Sequence, residues 1–488
     1  MTAHPRPRAA RWAADGTLAG RHGASPSALA TTAPGQVAAW VLTLTLLAGC
    51  AQPPAPPPAT SAAAAPAAAE AAPQPRPCPK GLPADLRCLG GRDSAGAFYL
   101  IALPAGWTPQ QGDLVLHAHG GPFLGAPMMQ RVEEDLQRWS IVPRSGDAWA
   151  ASSFAQGGVA VRAAAEDTER LRRLFVQHLG RPRLTLLHGQ SWGASVAARA
   201  AEIFSAGKPY DAVLLTSGVL AGGTRAYDFR LDLRLIYQYL CGNHPRPDEP
   251  AYPLWQGLPA GSTLTPAELR RRVDDCLGLD RPAAQRTPAQ ALRVKTLVDV
   301  VRVPERSLQS HLAWGTFHFQ DIALHRSGGG NVFGNHGAYY RGSADDEALN
   351  AKVERYAADP AAVARFAADA DPTGLIPVPV LTVHAIHDPT AFVEMEHRFA
   401  QTMTGAGRAD ALVQTYTDHA EHSYLSDATY VALLDALRAW VREGRKPTPQ
   451  AVAERCAAAL ARFPSDCRFR PEYQPPPLDS RVAPRERP

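Results

Sequence analysis

Short apolar runs closed by turn residues recur along the middle of the chain. Phe98-Tyr99-Leu100-Ile101-Ala102-Leu103 stops at Pro104, and Leu114-Val115-Leu116-His117-Ala118-His119 runs into Gly120-Gly121-Pro122. Leu184-Thr185-Leu186-Leu187-His188 leads to Gly189, and Ala212-Val213-Leu214-Leu215-Thr216 ends at Ser217-Gly218. Much later come Val380-Leu381-Thr382-Val383-His384 and Leu412-Val413-Gln414-Thr415-Tyr416. Helical spacing marks an alanine-rich stretch over 192–204 and a last one over 426–443, with Val431, Leu434, Leu437, Trp440 and Val441 on its apolar side. Continuous apolar runs alternating with helical patterns predict an α/β architecture, a mostly parallel sheet with helices on both faces. Residues 219–375 are too many for a connection between sheet elements, so they predict a helical cap insertion over the carboxyl ends of the strands.

The ends of the chain read differently. Arg6, Arg8, Arg11 and Arg21 precede an apolar run over 37–47 and then Leu47-Ala48-Gly49-Cys50. The run is too short to span a bilayer as a stable helix but suits the apolar region of an export signal. Leu-Ala-Gly-Cys resembles the lipobox of bacterial lipoproteins, which implies a signal peptide over 1–49, lipidation of Cys50, and attachment to a membrane. Ala51 after the cysteine favours the outer membrane, facing the periplasm or the exterior. An Ala/Pro-rich tether over 50–77 follows, with order expected from about Cys78. The remaining segments read as a first core part over 78–218, the cap over 219–375, a second core part over 376–445, and an extension over 446–488. The extension is expected to be partly disordered, because 471–488 is rich in proline and arginine.

Charge and cysteines narrow the class. Without the four arginines and Asp15 of the signal, 46 basic residues face 45 acidic ones. A nearly neutral chain without a basic stripe excludes a nucleic-acid partner. Six cysteines remain after Cys50, an even number that suits disulfides in an exported chain. Short loops favour Cys78 with Cys88, Cys241 with Cys276 and Cys456 with Cys467, though six cysteines admit other pairings. None has the C-x-x-C spacing of a zinc site.

Gly189-Gln190-Ser191-Trp192-Gly193 fits G-x-S-x-G between an apolar strand and a helix. So tight a turn raises the serine hydroxyl above the sheet edge and leaves no room for side chains two positions either side. A serine is a poor nucleophile unless an oriented base takes its proton. Asp388 follows one later strand and His422 another, both at carboxyl ends. Asp388 could instead open a proline-containing turn. Asp418 and His419 compete with Asp388 and His422 for the same roles. Two N–H donors are needed for the oxyanion: Trp192, and Gly121 from His119-Gly120-Gly121-Pro122, with Gly120 and Phe123 behind it. His119 reads as a brace for that loop. His117-Ala118-His119 and His384-Ala385-Ile386-His387-Asp388 look like metal ligands at first sight, but lack H-E-x-x-H or further ligands, so no metal is expected.

Gly-Gln-Ser-Trp-Gly, His-Gly-Gly-Pro and the trailing Asp and His resemble the α/β-hydrolase superfamily over about residues 95–445. The first two motifs together are similar to those of proline iminopeptidases and prolyl-oligopeptidase relatives. Leu103-Pro104-Ala105-Gly106-Trp107, leading to the 114–120 run, looks like secreted esterases, including feruloyl-esterase-like proteins. The resemblance implies an α/β-hydrolase fold and a Ser191–His422–Asp388 serine hydrolase that needs no cofactor. Its substrate would be a small-molecule carboxylic ester; an aminopeptidase, or a binding lipoprotein that keeps the fold without the activity, is the alternative. Residues 314–319 and 328–333 would either line a pocket or form the cap's own core.

Overall fold

The computed structural model describes residues 70–488; the signal, Cys50 and most of the tether lie outside the described residues. One sheet contains β1 (Gln74–Arg76), β2 (Arg87–Arg92), β3 (Phe98–Leu103), β4 (Leu114–Ala118), β5 (Ala148–Ser152), β6 (Thr185–Gln190), β7 (Ala212–Thr216), β8 (Val380–Ala385) and β9 (Leu412–Thr417). Their order across it is β1-β2-β3-β5-β4-β6-β7-β8-β9. β1, β2, β3 and β5 pair antiparallel, and from β5 to β9 every pairing is parallel. Period-two alternation sends Val115, Leu186 and Leu381 to one buried layer and Leu116, Leu187 and Val380 to the other. Each leucine so buried contributes about 1.5–3 kcal/mol relative to exposure.

Chain direction creates the site. From β4 the chain crosses to β5 on one side, then returns past β4 to β6 on the other. The loops leaving β4 and β6 therefore part at their carboxyl ends, and such a reversal opens a crevice there. With a tight turn after β6 and a helical insertion between β7 and β8, this is an α/β-hydrolase fold, as the motifs imply. Among the described residues the insertion holds helices and no strand, including Asp228–Cys241, Pro266–Leu277, Pro288–Val301 and Leu308–Asp321. The last long helix of the core, Asp427–Glu443, starts where Ser426 Oγ accepts from the Thr429 amide at 3.2 Å and stops at Gly444, in the left-handed region. Such a cap is worth about 1 kcal/mol.

Two expectations change. Order begins before Cys78, since β1 lies inside the stretch read as tether and pairs with β2. The 446–488 extension is not partly disordered: it forms the helix Pro449–Ala459 and then runs back over the insertion. Leu478 and Val482 are buried, Arg485 reaches Asp232 at 2.5 Å, and Arg487 reaches Asp228 at 2.8 Å. Arg485 and Arg487 thus end on buried carboxylates of the insertion. Disulfides join Cys78 to Cys88, Cys241 to Cys276 and Cys456 to Cys467, with Cα separations of 5.3, 5.9 and 5.9 Å. Among the described residues no helix is long and apolar enough to cross a membrane.

Candidate active site

The turn after β6 is shaped by what its glycines lack. A Cβ on Gly189 would lie 2.2 Å from the Gly193 carbonyl oxygen, and one on Gly193 would lie 2.1 Å from that of Ala118. Both hydrogens are sterically required. Between them Ser191 has φ 57° and ψ −121°, a sparsely populated conformation for a side-chain-bearing residue. Such a residue costs on the order of 1–3 kcal/mol and persists only when its surroundings hold it. Here its amide donates to Thr216 O at 2.9 Å, and its carbonyl accepts from Ala194 and Val219 at 3.1 Å each.

Ser191, His422 and Asp388 converge above the sheet. His422 Nε2 lies 2.7 Å from Ser191 Oγ, and His422 Nδ1 lies 2.7 Å from Asp388 Oδ2. Asp388 Oδ1 also accepts from the amides of Thr390 at 2.8 Å and Ala391 at 3.0 Å. The turn role and the histidine-holding role are thus combined in one carboxylate. Its rivals are engaged elsewhere: His419 Nε2 lies 3.3 Å from Asp466, while Asp418 pairs with His387 and Arg470.

Behind Asp388 lies a second buried pair that the motifs do not announce. His384, at the end of β8, places Nδ1 3.2 Å from Glu396 Oε1, while its Nε2 donates to Ala391 O at 2.9 Å and lies 3.5 Å from Asp388 Oδ2. Glu396 also accepts from Thr382 Oγ1 at 2.8 Å and Gln414 Nε2 at 2.6 Å. Burial pushes the His384 pKa down, but hydrogen bonds and charge from the two carboxylates win and raise it to about 10. Burial likewise pushes Asp388 up, and His422 with His384 more than offset this, holding it well below the usual carboxylate range. His384 and Asp388 were visible together in the sequence only as an unconvincing metal cluster. Among the described residues no group of three or more His, Cys, Asp or Glu is disposed to hold a metal ion.

The loop after β4 closes on the serine. A Cβ on Gly120 would meet Gln190 Oε1 at 2.1 Å and Ser191 Cβ at 3.0 Å. The Gly120 carbonyl accepts from Arg131 and from His119 Nδ1. Burial and the Arg131 charge lower the His119 pKa to about 3, so its ring is a neutral brace, stacked on Phe154. In a trans peptide the N–H points opposite to the carbonyl. The Gly121 N–H is therefore turned away from Arg131, and Gly121 itself has φ 71°. Trp192 is the first residue of its helix, where an amide has no intrahelical acceptor.

From the insertion, helix Leu308–Asp321 bridges both loops: His318 Nε2 donates to Pro122 O at 2.9 Å and His311 Nε2 to Pro389 O at 2.9 Å. Of the two aromatic and glycine-rich stretches, Phe319 and Phe333 are core, stacked at 4.4 Å, while Trp314 is only partly buried. A separate cavity of about 610 Å³ lies within the insertion, lined by Tyr252, Leu258, Leu264 and Arg272, and includes none of the residues around Ser191.

No protein-family model and no curated protein matches the chain. Among solved structures it is similar to feruloyl esterase B from Aspergillus oryzae, at 14% identity over 77% of this chain and 86% of that one, with a TM-score of 0.39. It is also similar to the rice cell wall degrading esterase LipA from Xanthomonas oryzae, at 14% identity over 69% and 83%, TM-score 0.33. An esterase from Pyrococcus furiosus aligns at 10% identity over 80% and 98%, TM-score 0.36.

Proposed function

We propose that the chain is a serine hydrolase that cleaves carboxylic esters by two-step acyl transfer. The observation that carries this reading is the unbroken hydrogen-bonded line from Ser191 Oγ through His422 to Asp388, with 2.7 Å at each link. His422 Nε2 takes the hydroxyl proton as Oγ attacks the carbonyl carbon. Asp388 holds the ring in the tautomer that leaves Nε2 free and stabilises the imidazolium that forms. The amides of Trp192 and Gly121 receive the oxyanion. His422 returns its proton to the leaving alcohol, and water then repeats the sequence to release the acid. An ester asks less of that proton transfer than an amide, because an alkoxide leaves more readily than an amine anion.

The same reading places the enzyme outside the cytoplasm, held to a membrane by lipid on Cys50. The lipobox-like sequence supports it, and three disulfides fit an oxidising compartment. Cys50→Ala should release the protein from the membrane fraction.

A fluorophosphonate probe should label the wild type and fail to label Ser191→Ala, whose turnover of a short-chain nitrophenyl ester should fall by roughly 10⁴-fold or more. Retained labelling in the variant, or faster cleavage of prolyl arylamides than of esters, would overturn the nucleophile or the substrate class respectively.

A further inference from the structure

Helix Asp228–Cys241 carries four buried charges at every second position, Asp228, Arg230, Asp232 and Arg234. Three are answered. Asp228 pairs with Arg487 and Asp232 with Arg485. Arg234 donates to the carbonyls of Gly257 at 2.8 Å and Gly315 at 3.3 Å and to Thr316 Oγ1 at 3.0 Å. Arg230, one turn before Arg234, is only 4% exposed, yet its Nε has no hydrogen-bond partner among the described residues. It pairs with no carboxylate there either. Burial alone explains the lowering of its pKa to about 10, against which Tyr227 is the single opposing influence.

What surrounds Arg230 is aromatic. Its guanidinium carbon lies 4.3 Å from the centre of the Trp314 ring, 4.6 Å from Phe229 and 5.2 Å from Tyr227. Rings stabilise the cation through their faces. They do not use its N–H groups, which lie in the guanidinium plane and form a fork matched to a carboxylate.

Its place follows from helix Leu308–Asp321. That helix reaches the loop after β4 through His318 and the loop after β8 through His311. β6 and β7 lie between β4 and β8 in the sheet, so the helix crosses the carboxyl ends of β6, where Ser191 sits, and of β7. Trp314, under Arg230, is at the middle of that crossing and stacks on His318 at 4.8 Å.

We infer that Arg230 is a specificity residue that binds a carboxylate on the substrate, so that the preferred esters are anionic. This rests on the hydrolase reading for its reaction but not for its binding. The carboxylate can belong to the acyl part or to the alcohol part, and paired substrates separate the two. One pair is 4-nitrophenyl hydrogen glutarate and its methyl ester; the other is 4-acetoxybenzoate and its methyl ester.

In one pair the wild type should favour the charged member in kcat/KM by roughly 10- to 100-fold, mostly through KM. Arg230→Met should erase that ratio, and Arg230→Lys should restore part of it. No preference in either pair, or a preference that survives Arg230→Met, overturns the inference. Should Arg230→Met not fold, the wild-type ratios decide alone. Fluorophosphonate labelling of the same sample separates the two readings: intact labelling without a preference removes only the role of Arg230. If labelling fails, the hydrolase reading falls, and glutarate or 4-hydroxybenzoate raising the melting temperature of Ser191→Ala still reports the carboxylate site. No rise with either overturns it.

Discussion

A pair of buried histidines on one face of the sheet and a single one on the other have opposite fates. His117 on β4 and His188 on β6 are register partners, with Nδ1 atoms 2.9 Å apart. Trp139 and Trp149 pack around them, and no carboxylate acts on either ring. Burial holds both well below the usual histidine range, His188 at about 3. On the other face His384 is equally buried but has a carboxylate at each nitrogen, and is raised to about 10. Burial makes a neutral strut of the pair; two anions raise the single ring across the sheet the other way. The difference bears on Ser191 because His188 is part of the strand that presents it, whereas His384 touches the carboxylate that orients His422. The first position asks only for shape, the second for charge.

The largest break in this comparison is His384→Leu. It leaves Asp388 and Glu396 buried without the cation between them, and losing one partner of such a group costs about 3–5 kcal/mol. Denaturant unfolding should show that loss. A change below about 1 kcal/mol would mean that His384 is neutral, like the pair across the sheet.

Much of the sheet-side architecture was readable in advance, and for physical reasons. The β6 run, its glycines and the following alanines each admit one local structure, so Ser191 could be placed from spacing alone. Asp388 and His422 lie just beyond apolar runs, so their position at strand carboxyl ends was readable as well. β5 was missed because Ala148-Trp149-Ala150-Ala151-Ser152 has no strand preference of its own; it is a strand because β3 and β4 pair with it on either side. Helix Val161–Leu179 could have been found, since Val161, Ala164, Ala165, Thr168, Leu171, Leu174 and Phe175 repeat at helical spacing. Glu396 and Arg230 could not. A charge on an amphipathic helix reads as solvated, and only the fold shows that Arg230 meets three rings, or that Arg485 of a proline-rich tail meets Asp232.

A smaller effect sharpens the same contrast through pH. His384 binds its proton more tightly in the folded chain, so its contribution is fully present below about 6.5, the unfolded value, and is lost as pH rises towards about 10. His188 works the other way. The unfolded chain takes up that proton first, so stability falls as pH drops from about 6.5 towards about 3. Ring-nitrogen NMR should find both His384 nitrogens protonated at about pH 8 and His188 still neutral at about pH 5. Glu396→Gln should shrink the alkaline loss while leaving the acid limb unchanged. A neutral His384 at about pH 8 would remove the distinction between the two faces.

The smallest effect is expected from His117→Phe. If this pair serves only shape, a ring of similar size among Trp139, Trp149 and His188 should be accepted. One hydrogen bond to His188 is given up, at a net cost of about 1 kcal/mol. Against this, His117 Nε2 is buried without a partner among the described residues, and the substitution removes that unsatisfied atom. The two terms oppose, so the variant should unfold within about 1.5 kcal/mol of the wild type. Because Phe cannot titrate, its acid limb should also be shallower. A loss as large as that of His384→Leu, with no change in the acid limb, would show that the His117 ring carries a charge burial had seemed to forbid.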